Sequence, residues 1–294
     1  RLRRFNDQYH NETAIVNFGV VGKKYADKLL FGIVLGQNRA EIQTGARMVN
    51  VYGDMYRRGN TIMPTFKYQK KDLGVKGLDL MLNANYNLGQ EQNVDTVNRR
   101  YNWYQQHIVR TGAGGERSRT LYKYRNNNAI ATINLNYRLS PKHTLTINSV
   151  TNYFNRQGRE ELFPENDNYD QPRKTVKNVL GFGYKFDLNK RWSTSVFTKH
   201  YHQTNIYSET YNPIPGNSDI AYKVVNKYSD NVGYGIASSF FLRTNLQLKA
   251  SFEKSYRLPE NEELFGDMVN LEGNTRLKPE SSNNYNIGIN YAPK

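Results

Sequence analysis

The sequence contains no cysteine. Disulfide frameworks, thiolate zinc sites and cysteine nucleophiles are thereby excluded together. It also lacks a long apolar run. The longest near-apolar stretch is Leu29–Gly36, whereas a spanning helix needs about 20 such residues. A helical span is excluded, but a transmembrane barrel is not, because a barrel distributes its apolar band over alternate residues of many strands. Proline is scarce, with 9 copies in 294 residues. Prolines 141, 164, 172, 213, 215, 259 and 279 fall in predicted turns or loops, and Pro64 and Pro293 near predicted strand ends. That distribution suits a sheet protein, since proline cannot donate to a ladder.

Acidic residues are outnumbered 26 to 41, giving a net charge of +15. The cations are spread over many strands and turns, and no nucleic-acid motif accompanies them, so nucleic acid is not an expected partner. Catalytic signatures are missing as well: there is no Gly-x-Ser-x-Gly elbow and no His-Glu-x-x-His helix. Gly112-Ala-Gly-Gly115 lacks the Gly-Lys-(Ser/Thr) ending of a phosphate loop and reads as a flexible loop tip. Glu260, Glu262, Glu263 and Glu280 have no nucleophile or base spaced with them. The first residues, Arg1-Leu-Arg-Arg-Phe, show no leader pattern, which points to an internal segment.

What is present is a strand rhythm. Tyrosine is abundant, with 23 copies, and suits both pleated surfaces and membrane interfaces. Ala131, Ile133, Leu135, Tyr137 and Leu139 alternate with Thr132, Asn134, Asn136 and Arg138. The pattern returns at Leu180, Phe182, Tyr184 and Phe186, and again at Leu246, Leu248, Ala250 and Phe252. A period of two places each set on one sheet face. Strands are predicted over 12–22, 28–38, 61–71, 78–88, 129–139, 144–155, 175–187, 191–201, 230–242, 246–256 and 283–292. Short connections near Lys23–Asp27, Asp72–Lys76, Ser140–His143, Leu188–Arg191 and Arg243–Asn245 alternate with long ones over 39–60, 90–128, 156–174, 203–229 and 257–282. The fold class expected is all-β: an antiparallel transmembrane β-barrel segment of about 11 strands, with short periplasmic turns and long extracellular loops. A soluble β-rich adhesion or glycan-binding module is the alternative.

Two constellations bear on binding. His200-Tyr-His202 places two imidazoles on one strand face near a loop entrance, a weak candidate for metal or haem iron because a third ligand is wanting. The 90–128 loop is richer. Arg99, Arg100, Arg117 and Arg119 lie among Tyr101, Trp103 and Tyr104. Such a mixture can hold an anionic aromatic ligand by charge-assisted bonds and stacking, and it can equally meet lipopolysaccharide phosphates. Basic residues at the short turns, including Lys23, Lys142, Lys190 and Arg243, suit lipid phosphates of the inner leaflet.

The densest pattern runs from Phe252 to Tyr291. It contains Arg257-Leu-Pro259, then Glu263-Leu264-Phe265, then Gly273-Asn274-Thr-Arg-Leu277-Lys278-Pro279-Glu280, and an alternating strand that includes Tyr285. This order resembles the barrel signature of TonB-dependent outer-membrane receptors: Arg-x-Pro, Glu-Leu-(Tyr/Phe), Gly-Asn-x-x-Leu-Lys-Pro-Glu, then a strand. The resemblance implies a barrel of about 22 strands closed by an N-terminal plug, with no enzymatic chemistry and no cofactor. Residues 1–294 are then expected to be part of the barrel domain, about half of it, without the plug. The implied partners are outer-membrane lipid and lipopolysaccharide, the TonB complex acting through the plug region, and a scarce small ligand. A ferric siderophore or similar anionic iron chelate is the preferred cargo, on the basic aromatic loop; glycan or cobalamin uptake is the alternative. One helical turn beginning at Pro259 is also expected, since proline and acidic residues favour a first turn.

Overall fold

The computed structural model describes residues 2–45, 47–214, 220–266 and 271–292. In chain order the elements are β1 (Tyr9–Lys23), β2 (Ala26–Glu41), β3 (Tyr56–Lys70), β4 (Leu78–Asn87), β5 (Gln90–Val94), β6 (Arg99–Tyr101), β7 (His107–Val109) and β8 (Tyr122–Ser140). They continue with β9 (His143–Glu160), β10 (Arg173–Asp187), β11 (Trp192–Tyr211), β12 (Ala221–Arg243), β13 (Leu246–Arg257), α1 (Asn261–Phe265) and β14 (Glu280–Tyr291). The main sheet is an antiparallel meander in the order β1-β2-β3-β4-β8-β9-β10-β11-β12-β13-β14. Strand β5 pairs with β3 and β8, directly above β4. Its register continues that of β4, so the two are one interrupted lane: Asn85 faces Thr65 and Gln90 faces Asn60. Among the described residues, β1 and β14 pair on one side only, and the sheet is open.

Register sorts the side chains onto two faces. Phe18, Phe31 and Phe66 are cross-strand partners on β1–β3, with ring centroids 6.0 and 5.3 Å apart. The same face carries Leu82 opposite Ile133, and then the row Val196, Ile236, Phe252 and Tyr285. Many of these side chains are exposed, Ile133, Phe182, Val196, Ile236 and Tyr285 among them. Aromatic residues gather at both ends of this face. Near the short turns Trp192 meets Phe240, and His143 meets Tyr184 and Phe186; at the other end stand Tyr86 and Tyr153. An exposed apolar band between two aromatic girdles is the outer surface of a membrane barrel, and burying each large side chain in hydrocarbon contributes about 1.5–3 kcal/mol. The opposite face is polar. Thr146 donates to Asn136 at 2.7 Å, and the Lys199 ammonium meets Glu253 at 2.6 Å.

The structure corrects the predicted boundaries. Strands β8, β11 and β12 run for 19, 20 and 23 residues, about twice a membrane crossing. Most of the predicted loop 203–229 is a hairpin paired from Trp192–Phe240 up to Tyr211–Ala221. Above the apolar band each face mixes polar and apolar residues, Ile206, Ser208 and Val224 on one and Gln203, Asn205 and Tyr207 on the other, so the alternation fades although the backbone ladder continues. The predicted loop 90–128 likewise contains β5, the β6–β7 hairpin and the start of β8. Pro64 lies inside β3 rather than near its end. Beside it the regular ladder to the next lane lapses between Asn60 and Thr65, where Pro64 has no N–H to donate and the Leu88 amide donates to the Ile62 carbonyl at 2.8 Å. Residues Pro215 and Pro293 are outside the described residues.

The register yields a direct test. Cysteine-attached labels at Ile133, Leu135, Phe182 and Leu248 should report lipid, and labels at Asn134, Asn136, Lys185 and Lys249 should report water. The reverse pattern would reject the assignment of faces.

Candidate functional site

The long connections fold over one end of the polar face, and that is where buried side chains concentrate. Tyr122, Tyr124, Phe154, Arg156, Glu160, Thr175, Lys177, Tyr201, Gln203 and Asn205 are all buried. They come from the upper parts of β8–β11, on the inward residues of each strand. Tyr122 and Tyr124 stack at 5.2 Å. The Arg156 guanidinium lies 5.2 Å from the Tyr124 ring and 5.5 Å from Phe154, and burial lowers its pKa from the ordinary arginine value.

The lid on this wall is the connection between β13 and β14, which carries the sequence signature. It reaches inward across three neighbouring strands. The Pro259 carbonyl accepts from Gln203 on β11 at 3.3 Å. Thr175 on β10 donates to Asn261 at 2.5 Å, and Lys177 donates to Glu260 at 2.9 Å. On β9, Phe265 stacks on Phe154 at 5.9 Å, and Arg156 donates to the Gly266 carbonyl at 3.1 Å. Leu264 is 1 % exposed and forms the apolar centre of the contact.

Local chemistry shapes this lid. Glu263 accepts from the Glu260 amide at 2.8 Å, the return bond of a capping box. Pro259 precedes the N-cap Glu260 rather than occupying the first helical position, so the predicted turn exists but starts later. Gly273 abuts Gly266: a Cβ there would lie 2.5 Å from the Gly266 nitrogen and from the Leu264 oxygen, so only glycine fits. The Asn274 amide donates to the Glu263 carbonyl at 2.7 Å and closes the helical turn. Arg257 ties both ends together: its guanidinium donates to Glu263 and lies 3.5 Å from Glu280 at the start of β14. Leu277 and Pro279 are half-buried on the way into β14, and Lys278 is exposed. Tyr285 departs from the group. It faces outward beside Phe252, 5.0 Å away, and belongs to the apolar face.

The second assembly is the outer loop between β5 and β8, which buried carboxylates organise. Asp95 accepts the amides of Glu116, Arg117 and Ser118 at 2.6, 2.9 and 2.9 Å. Gly114 and Gly115, both at positive φ, set up this turn, and Gly115 is buried. Gly114 and Gly115 therefore belong to a packed turn around Asp95, while Gly112 and Ala113 remain an exposed tip. Glu116 accepts the amides of Gly53, Asp54 and Met55 at 2.6, 2.7 and 2.7 Å. Burial raises the pKa of this carboxyl, against the pull of those amides. Glu160 accepts from the Thr120 hydroxyl and the Leu121 amide.

The seven loop residues singled out by sequence do not form one cluster. Tyr101 donates to Asp54 at 2.8 Å and packs on Phe5 and His107. Arg99 lies 3.4 Å from Asp54, and the Trp103 indole donates to the Met48 carbonyl at 3.3 Å. These three hold the loop together. Arg100, Tyr104, Arg117 and Arg119 are exposed. His200 and His202 share Asp230, at 3.1 and 2.8 Å, but on the apolar outward face, register-paired with Leu180 and Asn178. Among the described residues no group of His, Cys, Asp and Glu is arranged to hold a metal. Sequence reasoning missed the receiving wall, above all Arg156, Lys177 and Gln203. Their only signal was a cation or amide at an inward position where a predicted strand passed into a predicted loop.

Comparison places this geometry among known proteins. The family model described as TonB dependent receptor-like, beta-barrel matches residues 4–294. The fold is similar to the FrpB iron transporter of Neisseria meningitidis (F3-3 variant), with a TM-score of 0.63, 14% identity, and 97% of this chain and 43% of that chain covered. It is also similar to the Serratia marcescens hemophore receptor HasR, solved with its hemophore HasA and heme, with a TM-score of 0.58, 12% identity, and 96% and 42% covered. The ferric yersiniabactin uptake receptor FyuA of Yersinia pestis gives a TM-score of 0.50 at 12% identity, with 97% and 43% covered. The chain thus spans less than half the length of these structures. No curated protein matches the sequence.

Two outcomes follow from the docked lid. Replacing Leu264 with Ala should weaken docking by about 2–5 kcal/mol, read as faster limited proteolysis between residues 258 and 279; an unchanged rate would mean that the lid is not held by this contact. The Glu263 carboxyl is held below its ordinary value of 4.5, first by Arg257 and then by the Glu260 amide. A lowered folded-state pKa contributes stability above the unfolded value and loses it as pH falls through the folded one. Lid proteolysis should therefore rise below pH 4.5, and the E263Q variant should lack that pH-dependent step.

Proposed function

Because this chain belongs to the TonB-dependent receptor-like β-barrel family, we propose that it forms the ligand-facing wall and outer loops of a receptor that takes up a ferric siderophore or similar anionic iron chelate. The family is one of outer-membrane receptors and transporters. Transport of this kind makes and breaks no bond in the cargo. The chain's part is to bind outside, to seal the lumen wall, and to pass the ligand inward when a plug, outside this sequence, is drawn by the TonB complex.

The observation that carries the cargo assignment is the outer loop. Its internal carboxylates Asp95 and Glu116 are taken up by backbone amides, which leaves Arg100, Arg117 and Arg119 exposed on the same loop as the exposed Tyr104. Exposed guanidinium groups and an exposed aromatic ring on one outer loop suit an anionic, ring-bearing chelate. A neutral glycan would have no use for that cationic excess. The similar structures, an iron transporter, a hemophore receptor and a ferric yersiniabactin receptor, support the same class of cargo.

The test separates recognition from loop integrity. In the intact receptor, R100Q combined with R117Q and R119Q should weaken binding of a ferric tris-catecholate by about ten-fold or more, with the loop's protease resistance retained. Y101F should instead loosen the loop, because it removes the bond to Asp54. Unchanged chelate affinity in the triple variant would discard the assignment.

A further inference from the structure

On the outward face a carboxylate, an imidazole and a hydroxyl stand in line. Asp230 on β12 and His202 on β11 are register partners, and an Asp230 carboxylate oxygen lies 2.8 Å from His202 Nδ1. The other ring nitrogen, Nε2, lies 3.1 Å from the Thr204 hydroxyl. An ionised carboxylate only accepts. Nδ1 therefore carries the proton of the neutral ring, and Nε2 is left to accept from the Thr204 O–H. His200 meets the same Asp230 oxygen at 3.1 Å and stacks beside His202, ring centroids 6.3 Å apart. The carboxylate is thus held from a second side. Period two puts His200, His202 and Thr204 on one face of β11. That face points away from the lumen, so the uptake path does not use them.

A nucleophile, a general base and an orienting carboxylate are linked in this order in hydrolytic triads. Both links fall within the reach that proton transfer requires, about 2.6–3.2 Å. The surroundings identify the substrate. Register pairs Thr204 with Val176 and Tyr228, and His200 with Leu180 and Val232; Tyr228 and Val232 are exposed. Thr204 stands twelve residues up β11 from Trp192, which meets Phe240 in the aromatic girdle near the short turns. At about 3.3 Å per residue and a tilt of about 45°, that is roughly 28 Å along the membrane normal. The apolar band is about 25 Å tall. The hydroxyl therefore stands at the outer rim of the band, with acyl chains below and water above.

We propose that Thr204, His202 and Asp230 hydrolyse the acyl ester of a glycerophospholipid, whose ester carbonyl lies at that rim. His202 Nε2 takes the Thr204 proton as Oγ1 attacks the carbonyl carbon. The tetrahedral adduct collapses, the bond from that carbon to the glycerol oxygen breaks, and His202 returns the proton to the departing alkoxide. Water then attacks the acyl-threonine ester and gives a proton to His202. The bond to Oγ1 breaks, Oγ1 takes the proton back, and a fatty acid leaves. Ester and water become acid and alcohol, with no other reactant. Asp230 fixes the ring and faces the imidazolium charge, a positioning role. Tyr228 and Asn226, exposed on the same face of β12, offer O–H and N–H donors to the anionic carbonyl oxygen. The proposal rests on the outward assignment of this face and is independent of the cargo.

The intact, detergent-purified receptor tests it in mixed micelles with a diacyl phosphatidylethanolamine, fatty-acid release being read by mass spectrometry. The receptor should release fatty acid. T204A and H202Q, prepared identically, should each lower the rate about a thousand-fold or more. D230N should lower kcat with KM retained, because it disturbs the ring and not lipid binding. A fluorophosphonate probe should attach to Thr204 in the receptor and fail to attach in H202Q. No release by the receptor, equal release by T204A, a D230N effect on KM alone, or a probe attached only elsewhere would each overturn the proposal. If those results come with lipid-reporting labels at Ile133 and Leu248, the hydrolytic site fails while the barrel orientation stands.

Discussion

Everything in this structure depends on the antiparallel backbone ladder and its register. In hydrocarbon no water is available to satisfy a free amide, so strands must pair along their whole membrane depth. Side-chain direction then follows with period two, and a slip of one residue would send every apolar side chain into the lumen. The row of Phe18, Phe31 and Phe66 and the opposing wall of Asn134, Asn136 and Asn148 are two consequences of one alignment. The ladder continues above the membrane, where it still dictates direction. There it turns Arg156 and Lys177 inward to receive the lid, and Arg39, Arg58, Lys123 and Arg159 outward in a line.

Charge is handled asymmetrically around this frame. The protein has an excess of cations, yet several acidic side chains work as internal fasteners. Asp95, Glu116 and Glu160 each gather backbone amides or a hydroxyl, and Glu263 joins α1 to Arg257. A carboxylate accepts several donors at once and can replace the regular hydrogen bonding that a loop lacks. With those anions committed to loop structure, much of the basic surface is left without opposite charge. Arg100, Arg117 and Arg119 of the outer loop are among the cations that this division leaves facing solvent.

Much of the fold was legible because alternation is strong where the two faces meet different media. Ile133, Leu135, Phe182 and Leu248 could be placed by pattern, as could the short turns. Legibility failed where the two faces do not differ in polarity. The upper halves of β11 and β12 looked like loop, and the β6–β7 hairpin left no periodic trace. For the site, the order from Arg257 to Glu280 marked the lid, because its glycines, proline and acidic residues each meet a local demand: Gly273 a close approach, Glu263 a cap, and Arg257 a junction. Composition alone groups Arg99 with Tyr101 and Trp103; only the fold shows that their side chains meet Asp54 and Met48.

The sequence by itself determined the class of machine: a strand-built membrane wall of a TonB-dependent receptor, with one polar and one apolar face. Periodicity and the signature are local properties of the chain, so they survive without coordinates. Tertiary structure alone decided that the signature folds back onto β9–β11, that Tyr285 leaves it for the outer face, that His200 and His202 face away from the lumen, and that four distant cations stand in one row. Those relations join residues as far apart as Arg156 and Gly266. Only the register of intervening strands brings such residues together, and register belongs to the sheet rather than to any one segment.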